Sequence, residues 1–157
     1  MFTSAEINCV KDFAYLATPA IALGTFWIKW YADLKIARYR ETIAYIDKHE
    51  ASLKDGWCTI QASSTNLQLV SDELSSFISR LELISHLINK KMFEEELVYT
   101  AYWNYFDDPL AIPQIRAWVK SKRDVDVSVL KDYIDICKKW DKRIAREQNR
   151  AVRNWNL

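Results

Sequence analysis

Glu82 and His86 stand four residues apart in "LELISH". On a helix that spacing brings a carboxylate and an imidazole to one face, which makes either half of a metal site or a single ion pair. The other histidine, His49, is distant in sequence and no further ligands fall at a recognisable spacing, so the pair reads as a helix-surface ion pair. Asp107 and Asp108 are adjacent carboxylates, but directly before Pro109 they read as turn and stop residues of a helix. Ser75 has no nucleophile-elbow context. The three cysteines, Cys9, Cys58 and Cys137, are too widely spaced for a zinc site or a disulfide framework. With Gly24 and Gly56 as its only glycines, the chain lacks what a phosphate-cradling loop requires. No catalytic residue, metal or cofactor is assigned, and the chain is expected to act by binding.

Charge supplies a candidate binding surface. Residues 138–157 carry Lys138, Lys139, Lys142, Arg143, Arg146, Arg150 and Arg153 against Asp141 and Glu147, a local charge of +5. The whole chain is +1, so residues 1–137 carry −4. Such segregation fits a solvated helix face, attraction to anionic lipid, or nucleic-acid binding. Trp140 and Trp155 would favour a membrane interface in the second case and stack on bases in the third.

The elements that would position these residues are helices. Half of the 157 residues are hydrophobic and 27% are charged, the composition of one folded domain. Ser71 begins a helix with Asp72 and Glu73 in its first turn, and Leu74, Phe77, Ile78, Leu81, Ile84 and Ile88 form its apolar face before it ends near Asn89. A second helix opens at Glu94, Glu95 and Glu96 and turns Leu97, Val98, Ala101, Tyr102 and Tyr105 inward before stopping at "DDP". Another starts near Pro113 and directs Ile115, Trp118 and Val119 inward. In the last, capped by Ser128, Leu130, Tyr133, Ile134, Cys137 and Trp140 share one face. No segment alternates with period two, so the domain is expected to be an all-α bundle. The stretch "WCTIQASSTNLQLV" after Gly56 reads equally as a loop or a short helix.

Upstream, residues 13–32 read "FAYLATPAIALGTFWIKWYA", with Lys29 as the one charge. Twenty helical residues reach about 30 Å, the thickness of a bilayer's hydrocarbon core. Lys29 can snorkel to the headgroups, and Trp27, Trp30 and Tyr31 are interface-preferring residues beside it. The segment before it holds Glu6, Lys11 and Asp12 and is not the basic start of an export signal. A transmembrane helix over residues 13–32 is therefore expected. Lys29, Lys35, Arg38 and Arg40 follow it whereas Lys11 alone precedes it, which places residues 1–12 outside and residues 33–157 in the cytoplasm. Beyond the span, Ile36, Tyr39, Ile43 and Ile46 recur at three-four-three spacing and form a narrow seam, either for homo-oligomerisation or for packing under later helices of the same chain.

The order of an apolar N-terminal helix, "RYRETIAYIDK", "LELISHLINKKMFEEELVY" and "IPQIRAWVKSKRD" resembles the bacterial domain of unknown function 4760 family. The matching elements run from Arg38 to Lys48, Leu81 to Tyr99 and Ile115 to Arg123, with Glu82 and Arg123 among them, and "NKK" replaces the family's usual turn glycine. The resemblance implies a membrane-anchored helical domain of the bacterial inner membrane and a setting in phage defence or phage-encoded interference, with no established activity. The partners expected are membrane lipid, a protein and a second copy of the chain. The alternatives are a soluble nucleic-acid-binding accessory protein using the basic last helix, with its apolar first helix buried, and an oligomeric membrane-disrupting effector.

Overall fold

The computed structural model describes residues 4–63 and 71–149, with side chains described at residue 19 and from residue 21 onward. Every regular element among them is helical: α1 is Ser4–Ala62, α2 Ser71–Asn89, α3 Glu95–Ala111, α4 Pro113–Val125 and α5 Lys131–Glu147. Two compact units divide the chain, Met1–Arg38 and Tyr39–Leu157.

In the first unit α1 is exposed wherever its side chains are described, apart from half-buried Arg38 at its end. Ile21, Leu23, Phe26, Trp27, Ile28, Trp30 and Tyr31 all face outward, and the rings of Trp27 and Trp30 meet edge to face with centroids 5.3 Å apart. Thr25 returns its hydroxyl to the Ala22 carbonyl at 2.9 Å, as helical threonines do when no other acceptor is near. Among the described residues no helix is long and apolar enough to cross a membrane. Thr18, Pro19, Gly24, Thr25 and Lys29 dilute the stretch, and Trp27, Trp30 and Tyr31 add bulk with little hydropathy.

The second unit is a bundle with one core. Leu53, Trp57 and Ile60 of α1 are buried in it, with Tyr45 and Ile46 packed at its edge and Thr42 also buried. These positions recur every three or four residues, so one stripe of α1 faces the bundle. That stripe carries the helix through Gly56 to Ala62, which resolves the ambiguous stretch in favour of helix as far as residue 62. Trp57 stacks on Phe77 with centroids 5.7 Å apart, and a Cβ at Gly56 would meet the same ring in ordinary contact at 3.5 Å.

The α2 face is as read from the sequence: Leu74, Phe77, Ile78, Leu81, Ile84 and Ile88 are all buried. Its C-terminus closes with the N–H of Met92 bonded to the Leu87 carbonyl and that of Lys91 to the Ile88 carbonyl, each at 2.9 Å. This paired arrangement needs a left-handed residue, usually glycine, and Lys91 supplies it at φ 57°. In α3 the expected stop at "DDP" does not occur, because Pro109 lies inside the helix and Ala111 ends it. Pro109 and Leu110 are buried, so packing of the last turn outweighs the one helical hydrogen bond that proline forfeits. Extended Ile112 then delivers Pro113 to the first turn of α4, where its missing N–H costs nothing. Ile115 and Val119 are buried as expected, with Trp118 at the rim.

Leu81→Ala should cost about 2 to 5 kcal/mol in urea denaturation, the range for a large side chain removed from a close-packed site. Leu83, two residues on and half exposed, should lose no more than about 0.5 kcal/mol on the same substitution. Equal losses would place the α2 face wrongly.

Candidate functional site

The charged face of α5 and what holds it bring together candidate site residues within the bundle. Its position is fixed at the helix start. Leu130, the residue before α5, sits in the left-handed region at φ 57° and offers no side-chain cap. The expected cap at Ser128 is not made; instead the Ser128 N–H bonds to the Asp126 carboxylate at 2.8 Å in a turn of its own. Capping comes from α2. Glu82 accepts the N–H of Tyr133 at 2.6 Å and that of Asp132 at 3.3 Å, while the Lys131 N–H reaches the Ser128 carbonyl. Orphan first-turn donors are thereby satisfied across the fold, and a carboxylate stands at the positive end of the helix dipole.

His86 and Asn89 complete this clasp. His86 Nδ1 lies 2.7 Å from Asp132 Oδ2, and Asn89 Nδ2 donates to Asp132 Oδ1 at 2.7 Å. The expected Glu82–His86 ion pair is therefore corrected: residues 82, 86 and 89 share a face of α2, and each is directed to the start of α5. Burial pushes the Glu82 carboxyl above its ordinary value, opposed by the two N–H donors. The His86 contact, then that of Asn89, holds the Asp132 carboxyl below its own. Among the described residues no group of three or more His, Cys, Asp and Glu could hold a metal ion.

Further along α5 the expected cations meet acids. Lys139 pairs with Glu95, whose other oxygen accepts the Trp140 indole N–H at 2.9 Å. Arg143 pairs with Glu96 and with Glu147, each at 2.7 Å, and its guanidinium lies over the Tyr99 ring at 3.8 Å. The Tyr99 hydroxyl donates to Glu147 at 2.8 Å. Arg143 in turn holds the Glu147 carboxyl below its ordinary range. Lys142 and Arg146 are exposed, Lys138 is half-buried, and Arg150 and Arg153 lie outside the described residues. Beside these pairs a groove of about 550 Å³ opens between the start of α3 and the second half of α5. Trp140 is buried, with its ring 4.6 Å from that of Phe106, and so does not present a stacking face.

The remaining expected residues lie apart. Trp27, Lys29, Trp30 and Tyr31 are exposed on the first unit. The Ile36, Tyr39, Ile43 and Ile46 seam divides: Ile36 and Ile43 are exposed, whereas Ile46 packs on the core and Tyr39 is half-buried. Packing within the chain accounts for Ile46. Sequence reasoning misses Glu95, Glu96 and Tyr99 at this surface and counts Glu147 only as local charge; the three acids that open α3 are the signal that could have found them.

Compared with protein-family models, curated proteins and solved structures, the chain matches none. The likeness to the domain of unknown function 4760 family rests on the residues quoted above alone.

Glu82→Ala should remove about 1 kcal/mol of stability, the typical worth of a helix cap, and Glu82→Gln should lose less because its amide oxygen still accepts. Denaturant titration measures both, and a silent Glu82→Ala would show that α5 does not depend on α2 for its start. A second expectation concerns alkaline pH. Burial and the Glu147 hydrogen bond push the Tyr99 phenol up to about 12. An unfolded tyrosine titrates near about 10, so the folded state keeps a proton that the unfolded state loses. The stability this contributes is intact below about pH 10 and disappears as pH rises toward 12. Tyr99→Phe should flatten that decline in denaturation midpoints, without abolishing it because burial also raises Tyr102 and Tyr105.

Proposed function

We propose that the chain is a membrane-attached helical protein acting by binding a partner, with residues 13–32 in lipid and residues 33–157 on the cytoplasmic face of a bacterial inner membrane. The supporting observation is the outward-facing apolar surface of α1, where Leu23, Phe26, Trp27 and Ile28 are each at least 60% exposed. Such side chains on several sides of one helix call for a cover, and lipid suits a helix apolar around most of its circumference. Lys29, Trp27, Trp30 and Tyr31 fit the headgroup level of that arrangement. The cations after residue 32 favour the cytoplasmic side. The bundle then offers charged helical surfaces for recognition, with no catalytic constellation invoked. The phage-defence setting is proposed from the family resemblance alone.

Leu23→Arg with Phe26→Arg places two charges in the lipid-facing stretch, at about 2.5 to 3.5 kcal/mol each near the middle of a span. The unaltered chain should stay with membranes through alkaline carbonate, and the double variant should be released while its helical circular dichroism persists. Release of both by salt alone would favour the soluble nucleic-acid-binding alternative.

A further inference from the structure

The cations that sequence alone offers as a binding face are not freely available in the folded bundle. Lys139, Lys142, Arg143 and Arg146 fall within about 100° of arc on α5, by the helix's 3.6-residue period. Along one edge of this arc lie the carboxylates of Glu95 and Glu96 from α3 and Glu147 from α5 itself, paired with Lys139 and Arg143. Lys142 and Arg146 remain outward. The Glu96 side chain is 63% exposed and that of Glu147 50%, while Glu95, which also holds the Trp140 indole, is 30% exposed. Exposed ion pairs are weak and exchange partners readily.

We propose that this arrangement is an autoinhibitory contact: Glu95, Glu96 and Glu147 mask the cationic face of α5, and an anionic lipid headgroup surface displaces them. The inference rests on the membrane reading above, which supplies the anion source. Lys142 and Arg146 make the first contact, and Lys139 and Arg143 join when headgroup phosphates replace their carboxylates. The adjoining groove of about 550 Å³ gives such phosphates access to Arg143 from the side. Single-stranded nucleic acid is the less suited anion, because buried Trp140 offers bases no stacking face.

The test uses the full chain carrying Leu23→Arg and Phe26→Arg, so that vesicle binding reports α5 and not the apolar segment. Affinity is measured for vesicles of phosphatidylglycerol and phosphatidylcholine in equal parts, with phosphatidylcholine vesicles as the neutral control. Adding E95Q, E96Q and E147Q should raise affinity for the anionic vesicles by about tenfold or more, with no change on neutral ones. E41Q, D47N and D55N make the same charge change at exposed positions of α1 and should raise it by less than about threefold. Adding K139Q and R143Q to the first set should cancel its gain. Equal gains from the two sets of acids, or a gain that survives K139Q and R143Q, would overturn the proposal. A gain on oligonucleotides with none on vesicles would also overturn it and assign the face to nucleic acid. If E95Q disturbs folding through Trp140, E96Q with E147Q is read in its place, with circular dichroism as the check. Membrane attachment is judged separately by carbonate extraction of the unaltered chain, so failure of either idea is recognisable on its own.

Discussion

Two backbone N–H groups at the start of α5, those of Asp132 and Tyr133, find their acceptor in a side chain of another helix, Glu82 of α2. Much of the bundle's charged surface follows from that constraint. A helix start left unsatisfied in a partly buried place is costly, and neither left-handed Leu130 nor Ser128 supplies a cap. Because Glu82 does, the beginning of α5 is set against one turn of α2, and His86 and Asn89 secure it through Asp132.

Fixing that end fixes the face presented further along. Tyr133, Ile134, Cys137, Trp140 and Ile144 turn into the core, where Phe106 meets both Tyr133 and Trp140. The opposite positions carry Lys139 and Arg143 to the acids that open α3. Aromatic packing and exposed ion pairing thus act on the same helix from two sides. The larger contribution is the buried one, since solvent weakens the ion pairs. Those pairs matter more for which charges the surface shows than for whether the bundle folds.

The apolar faces were legible in the sequence because amphipathic periodicity states directly which side of a helix is inside. All six expected positions of α2 are buried, as are Ile115, Val119, Tyr133, Ile134, Cys137 and Trp140. Local punctuation was less dependable. Pro109 continues a helix that it appeared to stop, because the buried last turn outweighs one lost hydrogen bond. Ser128 binds within its own turn and leaves the cap to Glu82, 50 positions before Asp132. Backbone N–H groups carry no residue signature, so a carboxylate that caps another helix looks like any surface acid. The candidate site was legible only in half: the cations of α5 stand out as a charge run, whereas their pairing with α3 depends on how two helices pack. The first unit shows the reverse case, where length and hydrophobic composition suggest a span and residues such as Thr18, Pro19, Gly24, Thr25 and Lys29 dilute the stretch.

The capping of α5 by α2 is what places the masked cationic face, and amide hydrogen exchange tests it most directly. First-turn amides of an ordinary helix exchange quickly because they lack helical acceptors, and Glu96 and Leu97 in α3, whose N-cap Glu94 makes no side-chain cap hydrogen bond, provide that comparison. The expected result is that the Asp132 and Tyr133 amides exchange far more slowly than those two, and that Glu82→Ala brings them to the faster rate without altering protection in the middle of α2. Fast exchange of Asp132 and Tyr133 in the unaltered chain would contradict the capping and leave the placement of α5 without its anchor.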